Sequence, residues 1–211
     1  MDAALLLLAD GRFPSGGHTY SAGVESAVAQ GDVVDIATLE RYLTGRLATT
    51  GVVDAAFACR SCAAHGRRET AVIEALDREY DARVASPRSR AVSRQLGRQL
   101  VRAATQVWPD GEYPDAPHHA IALGAAVAAA GGTAHDAATI AIHHVATAVT
   151  TAAVRLLGLD PLAVAALQAR HVATLEDWSD VAPRDLPAAS GTLSEILAQH
   201  HAGWSHRLFV A

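Results

Sequence analysis

Apolar residues recur at helical spacing along almost the entire chain, and this periodicity is the feature that most constrains the fold. No segment shows the strict apolar–polar alternation of a half-buried strand. Of the 211 residues, 47 are alanine, the best helix former, whose small side chain lets helices approach closely. The sequence therefore predicts an all-α fold, with residues 1–211 forming a single-domain bundle of about ten helices.

Capping residues and helix breakers divide the pattern into helices. Asp35 and Asp160 are good N-caps, and Pro87 and the pair Gly131-Gly132 mark boundaries. The most apolar helices, 118–130 and 134–157, are expected at the buried centre. The predicted helices span about 3–9, 20–30, 36–50, 52–65, 69–84, 89–107, 118–130, 134–157, 161–173 and 192–202.

The C-terminal part of the chain combines a polar linker with an apolar end. Residues 174–191 are polar and contain proline, so we expect a mobile linker there. Thr192 and Glu195 fit a capping box for a short helix, and residues 203–211 follow as a mobile tail. Three large apolar side chains lie in this tail, namely Trp204, Leu208 and Phe209. Either the tail docks on the protein's own core, or a partner covers it.

A glycine-hinged loop follows the first helix, within residues 13–25. Pro14 cannot continue a helix, and Gly16 and Gly17 permit backbone angles that other residues avoid. The helix that follows has two possible hydroxyl caps and an acid near its positive end, namely Thr19, Ser21 and Glu25. The loop is either a plain connector or a presented binding loop.

The same loop carries a motif. The order Phe13-Pro14-x-Gly16-x-x-x-Tyr20-Ser21-x-Gly23-Val24-Glu25 resembles the N-terminal motif of the UreF family of urease accessory proteins. Residues 90–100, 151–156 and 201–209 are also similar to that family, so the resemblance covers nearly the whole chain. Two positions depart from the family pattern. An aromatic residue is usual where His18 stands, and Ala202 replaces the usual acid after His201.

The resemblance implies that the chain itself is not an enzyme. UreF-like proteins form dimers that bridge a second accessory protein, UreD (also called UreH), and the GTPase UreG. The assembly delivers nickel to apo-urease and supports carbamylation of the active-site lysine. For this chain the resemblance implies UreD/UreH, UreG and apo-urease as partners, a homodimer, and no metal or cofactor of its own. The partner-binding residues that it implies are Pro14, Gly16, Gly17, His18, Tyr20, Ser21, Glu25, Arg98, His201, Trp204, Arg207 and Phe209.

Composition excludes several classes of protein. Lysine is absent, which excludes a phosphate-binding loop of the Gly-Lys-Ser/Thr type and a lysine Schiff base. A net charge of -5 argues against nucleic-acid binding. The apolar run 121–130 is too short to span a membrane, and histidines and an arginine interrupt 137–157. The N-terminus does not resemble a signal peptide, and the two cysteines cannot staple a domain of this size, so we expect a cytoplasmic protein.

Eleven histidines raise the alternative of a helical metal-binding protein. Ligands on one helical face lie three or four residues apart, and no two of these histidines do. Cys59 and Cys62 have C-x-x-C spacing, with His65 nearby, but they lie inside a helical pattern, which favours packed thiols. Stoichiometric nickel or zinc binding by the isolated chain would favour this alternative.

An arginine stripe and scattered acids leave two further possibilities open. Arginines repeat every four residues at Arg90, Arg94, Arg98 and Arg102, forming either a solvated face or a partner-facing ridge. Gly97 beside Arg98 leaves room for another backbone to approach. A helical lyase or hydrolase with a dispersed site is the second alternative, because a Ser-His-Asp triad cannot be recognised from spacing alone. Turnover of small molecules would favour it.

Overall fold

The computed structural model describes residues 3–171, 186–204 and 208–209. Within those ranges it contains helices and connecting segments but no strand, which confirms the all-α prediction. Residues 174–185 of the predicted mobile linker, which spans 174–191, lie outside the described part. The helices are α1 (Ala3–Ala9), α2 (Val24–Ala29), α3 (Ile36–Arg46), α4 (Val52–Gly66), α5 (Thr70–Arg83), α6 (Pro87–Val107), α7 (His119–Ala129), α8 (Ala134–Leu157), α9 (Pro161–Arg170) and α10 (Thr192–Ala202).

Local capping chemistry sets several helix starts. Asp35 caps α3, because its Oδ1 accepts the Thr38 N–H at 2.8 Å while Thr38 Oγ1 accepts the Asp35 N–H at 3.0 Å. Thr133 and Asp136 form the same reciprocal capping box at the start of α8. These caps satisfy backbone N–H groups that have no partner inside the helix. The predicted starts of α3 and α8 are confirmed.

The helix predicted from Tyr20 begins four residues later, at Val24. Residues Gly17–Thr19 form a 3₁₀ turn, and Ala22 and Gly23 follow with φ of 52° and 84°, so a right-handed helix cannot run through them. Gly23 occupies the N-cap position and no side chain caps the helix. The two predicted hydroxyl caps are therefore wrong.

A π-helical segment, Leu47–Gly51, joins α3 to α4. The two helices predicted as 36–50 and 52–65 are therefore one continuous helical run from residue 36 to residue 66. Arg46 directly precedes the π segment, and only 6% of its surface is exposed. The extra residue in a π turn shifts the backbone hydrogen bonds of the helix locally, and such turns are frequent next to functional sites.

Helices α4, α7 and α8 pack together at the centre of the fold. A Cβ on Gly124 of α7 would lie 2.6 Å from the Ala58 carbonyl oxygen of α4, so only glycine permits this approach. Residues 120–127 are all buried, which confirms α7 as a core helix. Among the described helices, α8 is long and apolar enough to cross a membrane, but half of its apolar window is buried inside the protein, as in a core helix.

The segment before α7 lies directly against α6. A Cβ on Gly97 would lie 2.0 Å from the Pro117 carbonyl oxygen. The predicted room beside Arg98 is therefore filled by the chain's own backbone.

Helix α10 is attached to the start of α6. The Gly191 carbonyl accepts the Glu195 N–H, and the Glu195 carboxylate accepts the backbone N–H of Ser86. Gln199 Nε2 donates to Ser86 Oγ at 2.9 Å. Thr192 is thus the first helical residue rather than the N-cap, and the Glu195 carboxylate binds the start of α6 instead of its own helix. The predicted capping box is therefore wrong.

Candidate partner-binding site

The N-terminal loop lies over α6. Gly16 has a φ of 82°, and a Cβ there would lie 1.6 Å from Gln99 Oε1, one residue after the exposed Arg98. Pro14 and Gly17 are exposed. The positive φ therefore favours glycine at position 16, and a larger residue would also displace the Gln99 side chain.

Tyr20 ties the loop to α6. Its ring is half-buried and packs against Val92 and Leu96. Burial raises the pKa of the Tyr20 hydroxyl, so it is neutral at physiological pH. Ser21 beside it is buried, and its Oγ has no hydrogen-bond partner among the described residues. His18 lies in the 3₁₀ turn, and its side chain is outside the described part of the molecule.

Glu25 is the polar centre of the site. It lies in the first turn of α2 with only 7% of its surface exposed. Its Oε2 accepts hydrogen bonds from Nε2 of His201 at 2.6 Å and from the backbone N–H of Phe209 at 3.1 Å. Its Oε1 accepts the backbone N–H of Leu208 at 2.7 Å. One carboxylate therefore holds both α10 and the residues that follow it.

Apolar contacts surround this carboxylate. The His201 ring is buried and lies 5.0 Å from the Trp204 ring. The Phe209 ring is buried under the guanidinium of Arg155, which lies 4.8 Å from the ring centroid. Leu208, which directly precedes Phe209 in the chain, is 69% exposed. Phe209 therefore packs on the protein's own core, the first of the two readings left open for the apolar tail residues.

The structure thus brings the two predicted terminal segments to one place. Glu25 contacts His201 and Phe209 directly, and the loop that carries Gly17 and Tyr20 lines one cavity with Phe209. Arg98 is exposed on the helix beneath that loop. Arg207 lies outside the described residues, and the mobility expected for the tail stays a prediction.

Two cavities meet beneath the loop. The larger, about 390 Å³, is mostly apolar and lies along α8, with Tyr20 and Phe209 in its wall. The smaller, about 80 Å³, is bordered by Arg46, Asp54 and Glu195. Burial raises the pKa of Asp54 to about 6, although the Tyr80 hydroxyl and Arg46 oppose this shift. Both cavities share four lining residues, Tyr20, Asp54, Leu96 and His119.

Two histidines meet at the larger cavity although their spacing in the sequence gives no sign of it. The rings of His119 and His144 lie 5.8 Å apart. Burial lowers the pKa of His119 to about 3 and that of His144 to about 4, so both are neutral at physiological pH. His144 Nε2 lies 2.7 Å from the Leu8 carbonyl oxygen, so this nitrogen carries the proton and donates.

The dispersed Ser-His-Asp arrangement considered above has a counterpart between α5, α6 and α7. His118 lies 3.1 Å from Ser93 Oγ through Nδ1 and 2.8 Å from Asp81 Oδ1 through Nε2. Burial lowers the pKa of His118. Although burial alone would raise the pKa of Asp81, hydrogen bonds from His118 and Arg94 lower it.

The side chains of Ser93, His118 and Asp81 are all engaged in hydrogen bonds that link helices. The ring of His118 is fully buried, Ser93 Oγ also accepts the His119 N–H at 3.2 Å, and Arg94 Nη2 donates to Asp81 Oδ2 at 2.8 Å. Asp77 accepts the His118 N–H and bonds Arg94 as well. We therefore assign this network to joining three helices.

Histidine and cysteine side chains form no metal cluster in the described ranges, where no group of three or more His, Cys, Asp or Glu could hold a metal ion. Cys59 and Cys62 are free and buried, as expected for packed thiols. Burial raises the pKa of the Cys62 thiol to about 12, so it is protonated and unreactive at neutral pH.

Comparison with known proteins decides the family. The UreF family model matches residues 33–172. The chain belongs to the UreF family. A protein named urease accessory protein UreF from Mycolicibacterium vanbaalenii is 43% identical over 99% of this chain and 98% of its own length. Proteins of the same name from Mycobacterium sp. (strain JLS) and Mycobacterium marinum are 40% and 39% identical over 98% and 99% of this chain.

Membership in the UreF family supports a role in urease maturation, and the relatives are named accessory proteins rather than enzymes. The family model includes Arg98 but neither terminal segment of the site. The full-length relatives span those segments as well.

Proposed function

We propose that this chain is a non-enzymatic urease maturation factor that bridges a UreD/UreH protein and the GTPase UreG during nickel insertion into apo-urease. Nickel is the cargo of that assembly. Family membership and relatives named as urease accessory proteins support the urease role.

The single observation that carries the bridging role is the convergence of the two terminal segments. The loop with Tyr20 and the segment with His201 and Phe209 lie on one region around Glu25. The described residues at the C-terminal end include exposed apolar side chains: Leu193 is 55% exposed and Leu208 is 69% exposed. Tryptophan, tyrosine and arginine typically supply most of the energy at protein interfaces, and Tyr20 and Trp204 are both partly exposed here. A composite surface of this kind suits protein binding.

Co-purification tests the bridge. UreD and UreG, each with a different tag, are expressed with this chain, and a pull-down on UreD should recover UreG only when the chain is present. Arg98→Ala should reduce the recovery of one partner, whereas Arg41→Ala, another exposed helical arginine, should leave both unchanged. Recovery of UreG on UreD without the chain would contradict the proposal.

The non-enzymatic part of the proposal rests on the chain's own residues. Without lysine it has no phosphate-binding loop of the Gly-Lys-Ser/Thr type. The purified chain should not hydrolyse GTP, and adding UreG should supply all turnover. GTP hydrolysis that co-elutes with the chain through successive columns in the absence of UreG would overturn this part.

The proposed assembly state is a homodimer in the cytoplasm. The exposed apolar residues of α1, Leu6 and Leu7, are 59% and 51% exposed, which leaves an apolar face for a second subunit. Sedimentation of the isolated chain at micromolar concentration should give twice the mass of 21.9 kDa. A strictly monomeric mass would contradict the dimer.

A further inference from the structure

We infer that Glu25 is a positioning residue that seats the described C-terminal residues, 192–204 and 208–209, and so assembles the two terminal segments into one surface. The importance of that surface for partners rests on the proposed function. The seating itself can be tested on the isolated chain.

The Glu25 carboxylate accepts three hydrogen bonds, although it lies in the first turn of a helix. Three donors converge on its carboxylate, one from His201 and two from the backbone of Leu208 and Phe209. These donors lie 176 to 184 residues away in the chain. A glutamate with only 7% of its surface exposed needs such donors, because a buried polar group without hydrogen bonds is costly to remove from water.

Neighbouring bonds fix α10, whereas Glu25 binds the backbone of two described residues that follow it. Ser26 Oγ donates to the Leu197 carbonyl at 3.2 Å, and Ser86 binds Glu195 and Gln199. These contacts hold the helix itself. Among the described residues, the backbone N–H groups of Leu208 and Phe209 have Glu25 as their acceptor.

Seating the segment also completes the region under the loop. With its backbone N–H on Glu25, Phe209 places its ring in the wall of the 390 Å³ cavity, which Gly17 and Tyr20 line from the loop. Release of Phe209 would open that wall. Glu25 therefore acts on the surface through the segment that it holds, since its own side chain is too buried to touch a partner.

Hydrogen exchange of the isolated chain tests the seating, because two of the bonded groups are amides that report directly. Glu25→Gln keeps the shape but places an NH2 group against backbone donors. We expect the exchange of the Leu208 and Phe209 amides to accelerate about tenfold or more, since hydrogen bonds to a charged acceptor are lost. The amides of α7 should be unchanged. Glu74→Gln, at a side chain that is 65% exposed, is the matched control.

Two variants of His201 separate seating from general stability. His201→Gln retains an Nε2–H donor that can reach Glu25 and should keep most of the protection, whereas His201→Ala should lose it. In a chain truncated after residue 202, Glu25→Gln should have a smaller effect on the melting temperature than in the full chain. Unchanged exchange at Leu208 and Phe209 in Glu25→Gln, or equal loss of protection in both His201 variants, would overturn the inference.

An experiment with the partner UreD distinguishes this inference from the proposed function. If Glu25 seats the partner surface, Glu25→Gln should capture less UreD than the native chain does. Failure of the native chain to bind UreD would remove the proposed function and leave the exchange result to decide the seating. Faster exchange together with unchanged capture of UreD would overturn the role of the seating in partner binding.

Discussion

At several glycines of this fold, the space available for a Cβ atom determines whether a larger residue can be accommodated. A side chain on Gly97 would collide with the Pro117 backbone, whereas one on Gly45 of α3 would meet nothing within 4 Å. The two glycines both lie in helices, so they differ in surroundings rather than in backbone class. They form a natural pair for measuring how closely α6 approaches the segment before α7.

Gly97→Ala should destabilise the protein by about 2 kcal/mol or more, because the backbone of Pro117 cannot move as a side chain can. Gly45→Ala should instead stabilise it by about 0.5 kcal/mol or more, since alanine is the better helix former. Urea denaturation followed by circular dichroism measures both. Equal effects of the two substitutions would contradict the close approach of the Pro117 backbone to Gly97.

Two half-buried, neutral histidines, His119 and His144, make the fold sensitive to acid. His144 has a pKa of about 4 in the folded chain, against an ordinary value of 6.5. Above pH 6.5 the group is neutral in both states and has no effect. As the pH falls from 6.5 towards 4, only the unfolded chain takes up the proton, so stability is lost across that window.

His144→Gln should therefore lose less stability on acidification, while its amide can still donate to the Leu8 carbonyl. Between pH 7.5 and pH 5.5 the native chain should lose about 1 kcal/mol more than the variant. Denaturation at the two pH values measures this difference. His135→Gln, at an exposed position of the same helix, serves as the control. A variant as acid-sensitive as the native chain would contradict the assignment of His144 as neutral.

At the scale of helices, sequence reasoning succeeds where local chemistry decides. The caps at Asp35 and Thr133 act over three residues, and α8 begins and ends as predicted, at Ala134 and Leu157. It fails at the start of α2, because the positive φ of Ala22 is imposed by the surrounding loop rather than by alanine itself.

The candidate site shows the same division. The motif around Tyr20 and the ending around His201 are readable in the sequence, and the resemblance to the UreF family is confirmed. The bond from Glu25 to Leu208 joins residues 183 apart, and the pairing of His119 with His144 depends on how α7 and α8 pack. No local pattern specifies such contacts.

The N-terminal loop should contribute to the partner surface beyond its role in stability. His18→Ala and Tyr20→Ala should weaken complex formation with UreD and UreG more than they lower the melting temperature. Because Tyr20 packs on Val92 and Leu96, its removal will also cost some stability. Tyr113→Ala, at another half-buried tyrosine, gives the reference for stability loss alone. The loop is only a connector if complex formation follows melting temperature along a single line for all three variants.

At the scale of the whole molecule, the architecture separates a rigid centre from a composite surface. Helices α4, α7 and α8 form the core, and glycines such as Gly124 allow their close packing. The first and last parts of the chain meet around Glu25 on the outside of that core. A molecule built this way can present a surface without carrying out chemistry itself, as we propose for its role in urease maturation.

Urease activation in cells tests that account most directly. In a urease-producing strain from which the gene for this chain is deleted, urease protein should accumulate with little nickel and little activity. The native chain should restore both, and a chain lacking residues 203–211 should restore neither although its circular dichroism remains helical. The measurement is nickel content and activity per mole of purified urease. Fully active, nickel-loaded urease in the deletion strain would contradict the account.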